Sequence, residues 1–391
     1  MFYYRYRPYS ELSMKELMYD EIYFSSSEES NDPYEGKIFF QFDKSEEKWK
    51  RLLDCAWREF KKEKLETVKE VFCQYLTEKS PITFQEVQML DFIDCVVKAR
   101  NQIEAAGYVA LSKSLKEYIK LYEPEKRYFV SFSKERDNYL LWSHYANNHK
   151  GYCLIFKTID GKISQSSKNA RNFVGRKTPK SFATSMGYNI STQFSMQDVI
   201  YCDEGETTVI DAFLCFPPYV AGKEFSEEER AEHFAKLQSP FLEKGLCWEY
   251  ERESRLLLTT PSAWLFGENF EYSSYERLFH YESTQLVGII LGAKMQESEK
   301  NRIREIVKDK VDGWYDFDVS KGEKRIFSFV LFESELSLKK RNIDIFPKEI
   351  YTGTGVILDE DSEFKKAYEE WKKGRCIEWS EGHSKKTYID K

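Results

Sequence analysis

The chain has 391 residues, and 41% of them are hydrophobic, which is enough to bury a core larger than that of a typical single domain. The formal net charge of -7 excludes a protein whose whole surface neutralises phosphate groups, but it leaves room for a local basic groove. No segment approaches the ~20 consecutive apolar residues of a membrane span. Eight cysteines without a CxxC pair favour reduced thiols. The sequence therefore predicts a cytoplasmic protein without membrane partners.

The amino-terminal residues predict a strand, a short helix, a second strand and a polar loop. Tyrosines in residues 3–7 favour β-structure, Glu11 to Tyr19 a helix, and Ile22 to Phe24 a strand. A serine run and the turn sequence Asn31-Asp32-Pro33 follow. This segment is expected to bring polar side chains to the end of a strand.

The rest of the chain predicts an α+β fold with a mixed, mostly antiparallel sheet. Apolar residues at helical spacing indicate a helical insertion at about 45–122. Strands are expected at 128–133, 151–156 and 286–292. We expect a core domain over residues 1–310 that contains the insertion, and a carboxy-terminal extension over 311–391 packed on that core.

Several polar residues in the first half of the chain are candidates for ligand binding. Ser25 and Ser26 can hold a ribose or amide group if their loop faces a cleft, and Arg5 can pair with a diphosphate. The alternative for the loop is a plain turn. His144, between Trp142 and Tyr145, is either a packed, hydrogen-bonded residue or a functional one.

The segment Trp248 to Arg255 carries glutamates at alternate positions directly before an apolar run. Interpreted as a strand, it places Glu251 and Glu253 on one face, about 7 Å apart along the chain. Such a pair can divide the work of glycosidic cleavage. One carboxylate stabilises an oxocarbenium-like sugar, and the other orients or deprotonates the incoming nucleophile.

Three alternatives remain open for these carboxylates. The glutamates can be solvated and paired with Arg252 and Arg255. They can form a metal-dependent nuclease or phosphohydrolase site around Mg²⁺, whose ligands would be Asp32, Glu35, Glu251 and Glu253. They can also belong to a non-enzymatic module that binds a basic partner.

Five phrases of the sequence together resemble a bacterial family known as domain of unknown function 2971. They are residues 4–6, 24–35, 130–133, 141–153 and 248–255. In order, they span most of residues 1–310 apart from the helical insertion. The family name implies no activity.

A more distant resemblance is to the ADP-ribosyltransferase fold, in which a basic residue, a Ser- or Tyr-bearing strand and a later Glu surround NAD. The matching residues here are Arg5, Tyr23 to Ser26, and Glu251 with Glu253. The resemblance implies that Glu253 holds the nicotinamide ribose and that Glu251 positions the acceptor. It also implies that Arg5 meets the phosphates and Tyr23 stacks on nicotinamide.

The leading hypothesis is an NAD-cleaving ADP-ribosyltransferase or NAD glycohydrolase that serves as a toxin or antiphage effector. The catalytic candidates are Glu253 and Glu251. NAD is the expected substrate, with water, a protein or a nucleic acid as acceptor, and no metal is expected. The candidates for contact with NAD are Arg5, Tyr6, Tyr23, Ser25, Ser26, Asn31, Asp32, His144 and Tyr145.

Overall fold

The computed structural model describes residues 1–391 except 33, 36–38, 58–65, 125, 177–185, 204–208, 230–231, 233–240, 261–269, 313, 319–322, 341, 381–386 and 391. None of the helices in these ranges is long and apolar enough to cross a membrane. The α-helices are α1 (Glu11–Tyr19), α2 (Glu46–Ala56), α3 (Glu66–Lys79), α4 (Phe84–Met89), α5 (Ile93–Val97), α6 (Gln102–Lys120), α7 (Tyr139–His144), α8 (Pro218–Ala221), α9 (Glu297–Val311) and α10 (Phe364–Lys372).

The β-strands are short, apart from a set that forms one large sheet. They are β1 (Phe2–Arg7), β2 (Glu21–Tyr23), β3 (Ser25–Ser26), β4 (Phe39–Phe42), β5 (Ile82–Thr83), β6 (Arg127–Ser133), β7 (Tyr152–Lys157), β8 (Lys162–Ser164), β9 (Phe173–Arg176), β10 (Met186–Asn189), β11 (Gln193–Ser195), β12 (Gln197–Asp198), β13 (Ile200–Cys202), β14 (Val209–Asp211), β15 (Glu243–Gly245), β16 (Glu253–Thr259), β17 (Leu278–His280), β18 (Leu286–Leu291), β19 (Tyr315–Asp318), β20 (Glu323–Ile326), β21 (Ser328–Leu336), β22 (Ile343–Thr352), β23 (Gly355–Leu358), β24 (Arg375–Ser380) and β25 (Thr387–Asp390).

The main sheet has ten strands in the order β12-β16-β6-β1-β7-β18-β21-β22-β23, with β3 also pairing to β6. Its neighbouring strands are antiparallel except for the parallel pair β18 and β21. Helices cover both faces of this sheet. The predicted α+β class with a mixed, mostly antiparallel sheet is therefore confirmed.

The side chains of β1 alternate between two hydrophobic cores, which lie on opposite faces of the main sheet. Tyr3 is buried in the core that includes apolar residues of α1 and α9. Tyr6 is buried in the opposite core, with Trp142 of α7 and Trp371 of α10. Because successive strand residues point to opposite faces, this single strand contributes to both layers.

The helices between β4 and β6 enclose a separate aromatic core. Trp49 of α2, Phe72 of α3 and Leu115 of α6 are fully buried there and pack with Phe42 of β4. Side-chain caps start several of these helices, as at Ser45 for α2. The predicted domain boundaries stay a prediction, and strands from beyond residue 310, β21 to β23, lie within the main sheet.

Candidate active site

A cavity of about 310 Å³ opens where β1 and β6 separate. The two strands share one Cα pair, Tyr4 with Ser133, whereas β6 pairs with β16 over its whole length. Beyond that pair, β3 takes the place of β1 beside β6. Consecutive residues 4–7 and 129–133 line the cavity, so it lies in the wedge between the strands rather than over one face.

The carboxylate segment is not one continuous strand, as the sequence pattern suggested. Residues Leu246–Glu251 form a 3₁₀-helix, Arg252 is left-handed with φ of 45°, and β16 begins at Glu253. The Ser133 hydroxyl donates to the Glu251 carbonyl at 2.6 Å, and the Asn138 amide donates to the Tyr250 carbonyl at 2.8 Å. These bonds from neighbouring elements hold the turn that brings Glu251 beside Glu253.

The turn separates the three glutamates. Glu249 is exposed and lies 3.9 Å from Arg252, while Glu251 and Glu253 are buried in the cavity wall. The alternative that these glutamates are solvated is therefore correct for Glu249 and wrong for Glu251 and Glu253.

Lys244, on β15, joins the buried carboxylates. Its Nζ lies 2.6 Å from Glu251 Oε2, 3.1 Å from Glu253 Oε2 and 3.4 Å from Glu35 Oε2. The Trp248 ring lies below the same ammonium, with its centroid 4.8 Å away. The ammonium thus donates hydrogen bonds to Glu251 and Glu253, forms an ion pair with Glu35, and lies over an aromatic ring.

Arg255 holds Glu253 from the opposite side. Its Nε and a terminal nitrogen each donate to Glu253 at 2.8 Å, and it lies 2.6 Å from Glu35. It also donates to the Phe241 carbonyl and stacks on the Phe129 ring. We define the charged cluster as Glu35, Lys244, Glu251, Glu253 and Arg255.

The charged cluster fixes the ionisation of its members. Burial alone would raise the pKa of Glu253, but Arg255, Lys244 and Ser131 outweigh it and lower that pKa to about 2. Burial would lower the pKa of Lys244, but the carboxylates of Glu253, Glu35 and Glu251 raise it above its ordinary value. For Glu35, burial outweighs Arg255 and Lys244 and raises the pKa. At neutral pH, Glu253 is a carboxylate and Lys244 is an ammonium.

Tyr145 completes the environment of Glu251. Its hydroxyl donates to Glu251 Oε1 at 2.5 Å, so that each Glu251 oxygen has one partner. Burial and the negative charge of Glu251 raise the pKa of Tyr145, which keeps the phenol protonated as a donor.

The structure brings most of the predicted site residues to this cavity. Those that line it are Arg5, Tyr6, Tyr23, Ser25, Asn31, Tyr145, Glu251 and Glu253. Strand alternation places Tyr4 in register with Ser133 and Glu253, so Tyr4 and Tyr6 share the face of the charged cluster. Arg5 lines the wedge from the alternate position of β1.

Burial and Arg7 lower the pKa of the Arg5 guanidinium to about 10, which leaves it charged at neutral pH. The Tyr6 hydroxyl donates to the Glu135 carbonyl at 2.8 Å. Tyr23 donates to Glu29 and packs against the Arg277 guanidinium, which lies 4.9 Å from its ring centroid. These contacts fix the side chains of Tyr6 and Tyr23 before any ligand is bound.

Three predicted residues lie outside the cavity wall. Ser26 borders a second cavity, of about 500 Å³, near the helical region. Asp32 is buried and accepts a hydrogen bond from the Tyr34 amide at 2.8 Å, as a turn residue does. His144 is exposed and lies near the rings of Tyr145 and Tyr250.

The arrangement of the carboxylates leaves little place for Mg²⁺. The Lys244 ammonium lies where a metal shared by Glu35, Glu251 and Glu253 would have to bind. In the described part of the chain, no group of three His, Cys, Asp or Glu side chains is arranged to hold a metal ion. The geometry therefore does not favour the metal-dependent alternative.

Lys244 is the member of the charged cluster that sequence reasoning missed. It lies seven positions before Glu251, a spacing that places two residues on one face only of a continuous α-helix, and the chain forms a strand and a 3₁₀-helix there. The fold brings the two together because β15 pairs with β13 and the 3₁₀-helix then turns the chain back. A basic residue shortly before a glutamate pair was the available signal, and it is not specific.

Comparison with known proteins identifies one segment of the chain. No curated protein and no solved structure matches it significantly. The family described as protein of unknown function DUF2971 matches residues 141–256. That range includes Tyr145, Lys244, Glu251 and Glu253, whereas residues 4–6, 24–35 and 130–133, which also carry the resemblance, lie outside it. The segment from α7 to the start of β16 is thus similar to the DUF2971 family, whose name states no activity.

Proposed function

We propose that the protein cleaves the nicotinamide glycosidic bond of NAD and transfers ADP-ribose to a macromolecule or to water. The observation that carries the proposal is the pair Glu251 and Glu253 in the wall of a wedge-shaped cavity that Tyr23 and Ser25 also line. The volume of about 310 Å³ is at the small end of the range for ligand sites and suits a nucleoside-sized group.

In the proposed reaction, the bond between ribose C1′ and the pyridinium nitrogen breaks, and its electron pair neutralises the departing nicotinamide. Glu253 holds the ribose hydroxyl and faces the developing cation. A carboxylate about 4 Å from that cation contributes on the order of 4 kcal/mol at an effective dielectric constant of 20, roughly a thousandfold in rate. The acceptor oxygen then bonds to C1′, and its proton passes to Glu251.

The other walls of the cavity suit the remaining parts of NAD. Tyr23 is the aromatic side chain that we assign to stacking on nicotinamide, since Arg277 and Glu29 hold its ring in place. Ser25 and Asn31 supply polar groups for the amide and ribose. We assign the diphosphate to Arg5, a charged side chain that lines the cavity from the alternate position of β1.

The test is nicotinamide release from NAD by the wild-type protein and by Glu253→Gln, with and without cell lysate as a source of acceptor. We expect release by the wild type and a loss on the order of a thousandfold in the variant. Glu249→Gln is the matched control, because the same chemical change is made on an exposed carboxylate outside the cavity wall. Absence of release by the wild type under every condition, or full activity of Glu253→Gln, would contradict the proposal.

The proposed biological role as a toxin or antiphage effector follows from consumption of NAD. Growth arrest on expression of the wild-type chain, and normal growth with Glu253→Gln at equal expression, is the expected result. Equal growth arrest by the wild type and Glu253→Gln would show that the toxicity does not depend on this site.

A further inference from the structure

Lys244 differs from the other cation of the charged cluster in how it is held. Arg255 lies on β16 of the main sheet, is fully buried, and is anchored by the Phe241 carbonyl and the Phe129 ring. Lys244 reaches the carboxylates from β15, a three-residue strand that pairs with β13 outside the main sheet. Its described contacts are the three carboxylates and the Trp248 ring.

These contacts are also the ones that an external monocation would seek. Three carboxylate oxygens and one aromatic face surround the ammonium, and both kinds of group attract positive charge. Lys244, Glu251 and Glu253 all line the cavity, so the ammonium lies at the boundary between protein and ligand space.

We propose that Lys244 occupies the position that the positive charge of the substrate takes, and that it moves aside when a cationic group enters. The identity of that group as the pyridinium ring of NAD rests on the proposed function. Lys244 is then a specificity-determining residue, because a neutral ligand gains nothing from displacing it.

The charge balance of the cluster supports a single positive charge on the ligand. With every group counted as ionised, the three carboxylates and two cations of the cluster leave one formal net negative charge. Exchange of the Lys244 ammonium for one ligand cation keeps that balance, whereas a neutral ligand would leave two buried negative charges uncompensated. The flexible four-carbon stem of lysine allows such an exchange, and the anchored Arg255 does not.

The test uses two small probes that carry no glycosidic bond and cannot be cleaved. They are 1-methylnicotinamide, which is a pyridinium cation, and nicotinamide, which is neutral. Binding of each is measured by calorimetry with the wild type and with Lys244→Met. We expect the variant to bind the cation at least tenfold more tightly than the wild type does, with no comparable gain for nicotinamide.

Lys310→Met is the matched control. Lys310 is also a buried ammonium, paired with Asp20, but it lies outside the cavity wall. Its removal should leave both affinities unchanged. If Lys244→Met does not fold, the double variant Lys244→Met, Glu35→Gln retains one net negative charge in the cluster and should show the same gain for the cation.

Two results would overturn the inference: no gain for 1-methylnicotinamide, or an equal gain for nicotinamide, which would show a volume effect. Its failure is distinguishable from that of the proposed function. If Lys244→Met gains affinity for the cation but the wild type releases no nicotinamide, the inference about Lys244 is supported and NAD cleavage is contradicted. If nicotinamide release depends on Glu253 but Lys244→Met gains no affinity for the cation, NAD cleavage is supported and the inference about Lys244 is contradicted.

Discussion

Two cations of this protein each face three carboxylates, in very different surroundings. The partners of Lys244 have side chains that are 1–6% exposed. The partners of Arg304 range from 14% to 65% exposed, and they join α9 to β21 and β22. Removing charges from water costs several kcal/mol per ion, so the buried arrangement is a costly way to stabilise a fold. The network of Arg304 with Glu297, Glu333 and Glu349 connects elements near the surface. The charged cluster instead borders a cavity, where its charge can act on a ligand.

The largest effect is expected when the buried cluster loses its anchored cation. Arg255→Met leaves Glu253 and Glu35 buried with only Lys244 to compensate them, and we expect a loss of about 3–5 kcal/mol in the free energy of unfolding. Chemical denaturation of the two proteins measures this loss. A loss below about 1 kcal/mol would mean that water enters the cluster and replaces the guanidinium.

The contribution of the charged cluster to stability should depend on pH through Glu253. The pKa of Glu253 is about 2 in the folded protein and 4.5 in its ordinary state, so its carboxylate stabilises the fold above pH 4.5. This contribution, roughly 3 kcal/mol, is lost as the pH falls from 4.5 toward 2. The stability difference between the wild type and Glu253→Gln should therefore shrink by on the order of 1 kcal/mol between pH 5 and pH 3.5. A constant difference in denaturation experiments would argue against the lowered pKa.

A smaller effect is expected at the edge of the cluster. Tyr145→Phe removes the hydrogen bond to Glu251 and leaves one carboxylate oxygen without that donor. Hydrogen bonds to charged groups contribute about 1.5–3 kcal/mol, and the half-buried position of Tyr145 favours the lower value. Thermal unfolding measures the change. Tyr139→Phe, on the exposed start of α7, is the control and should leave stability unchanged.

The smallest effect is expected at the surface network. Arg304→Met should cost less than Arg255→Met, about 1 kcal/mol, because the partners of Arg304 are 14–65% exposed and water can solvate them when the guanidinium is removed. The cost should fall further at 1 M salt, where the Debye length is about 3 Å. The loss in Arg255→Met should change little over the same salt range. Equal salt dependence for the two variants would remove the distinction between the clusters.

Local sequence patterns predicted the regular elements of the main sheet well. The helix expected at Glu11 to Tyr19 is α1 with the same bounds, and the strand expected at 128–133 begins one residue earlier as β6. Such patterns report the burial of each face, which neighbouring residues determine together. They also singled out Glu251 and Glu253, but as neighbours on one strand face, whereas Glu251 lies in the 3₁₀-helix that precedes β16.

The geometry around those glutamates depends on distant residues and was not predictable. The 3₁₀-helix before Glu253 is held by Ser133 and Asn138, more than a hundred positions earlier in the chain. Lys244 reaches the same carboxylates because of that turn, and Arg5 lines the wedge because β1 leaves β6 after a single pair. Hydrophobic periodicity carries no information about such contacts.

The wedge between β1 and β6 has a consequence for the order in which the protein is made. One wall includes residues 4–7, and Glu251 and Glu253 lie directly before and at the start of β16, which ends at Thr259. A growing chain on the ribosome therefore has no complete site until β16 has emerged and paired with β6. Until that moment, translation yields a polypeptide with only part of the cavity wall.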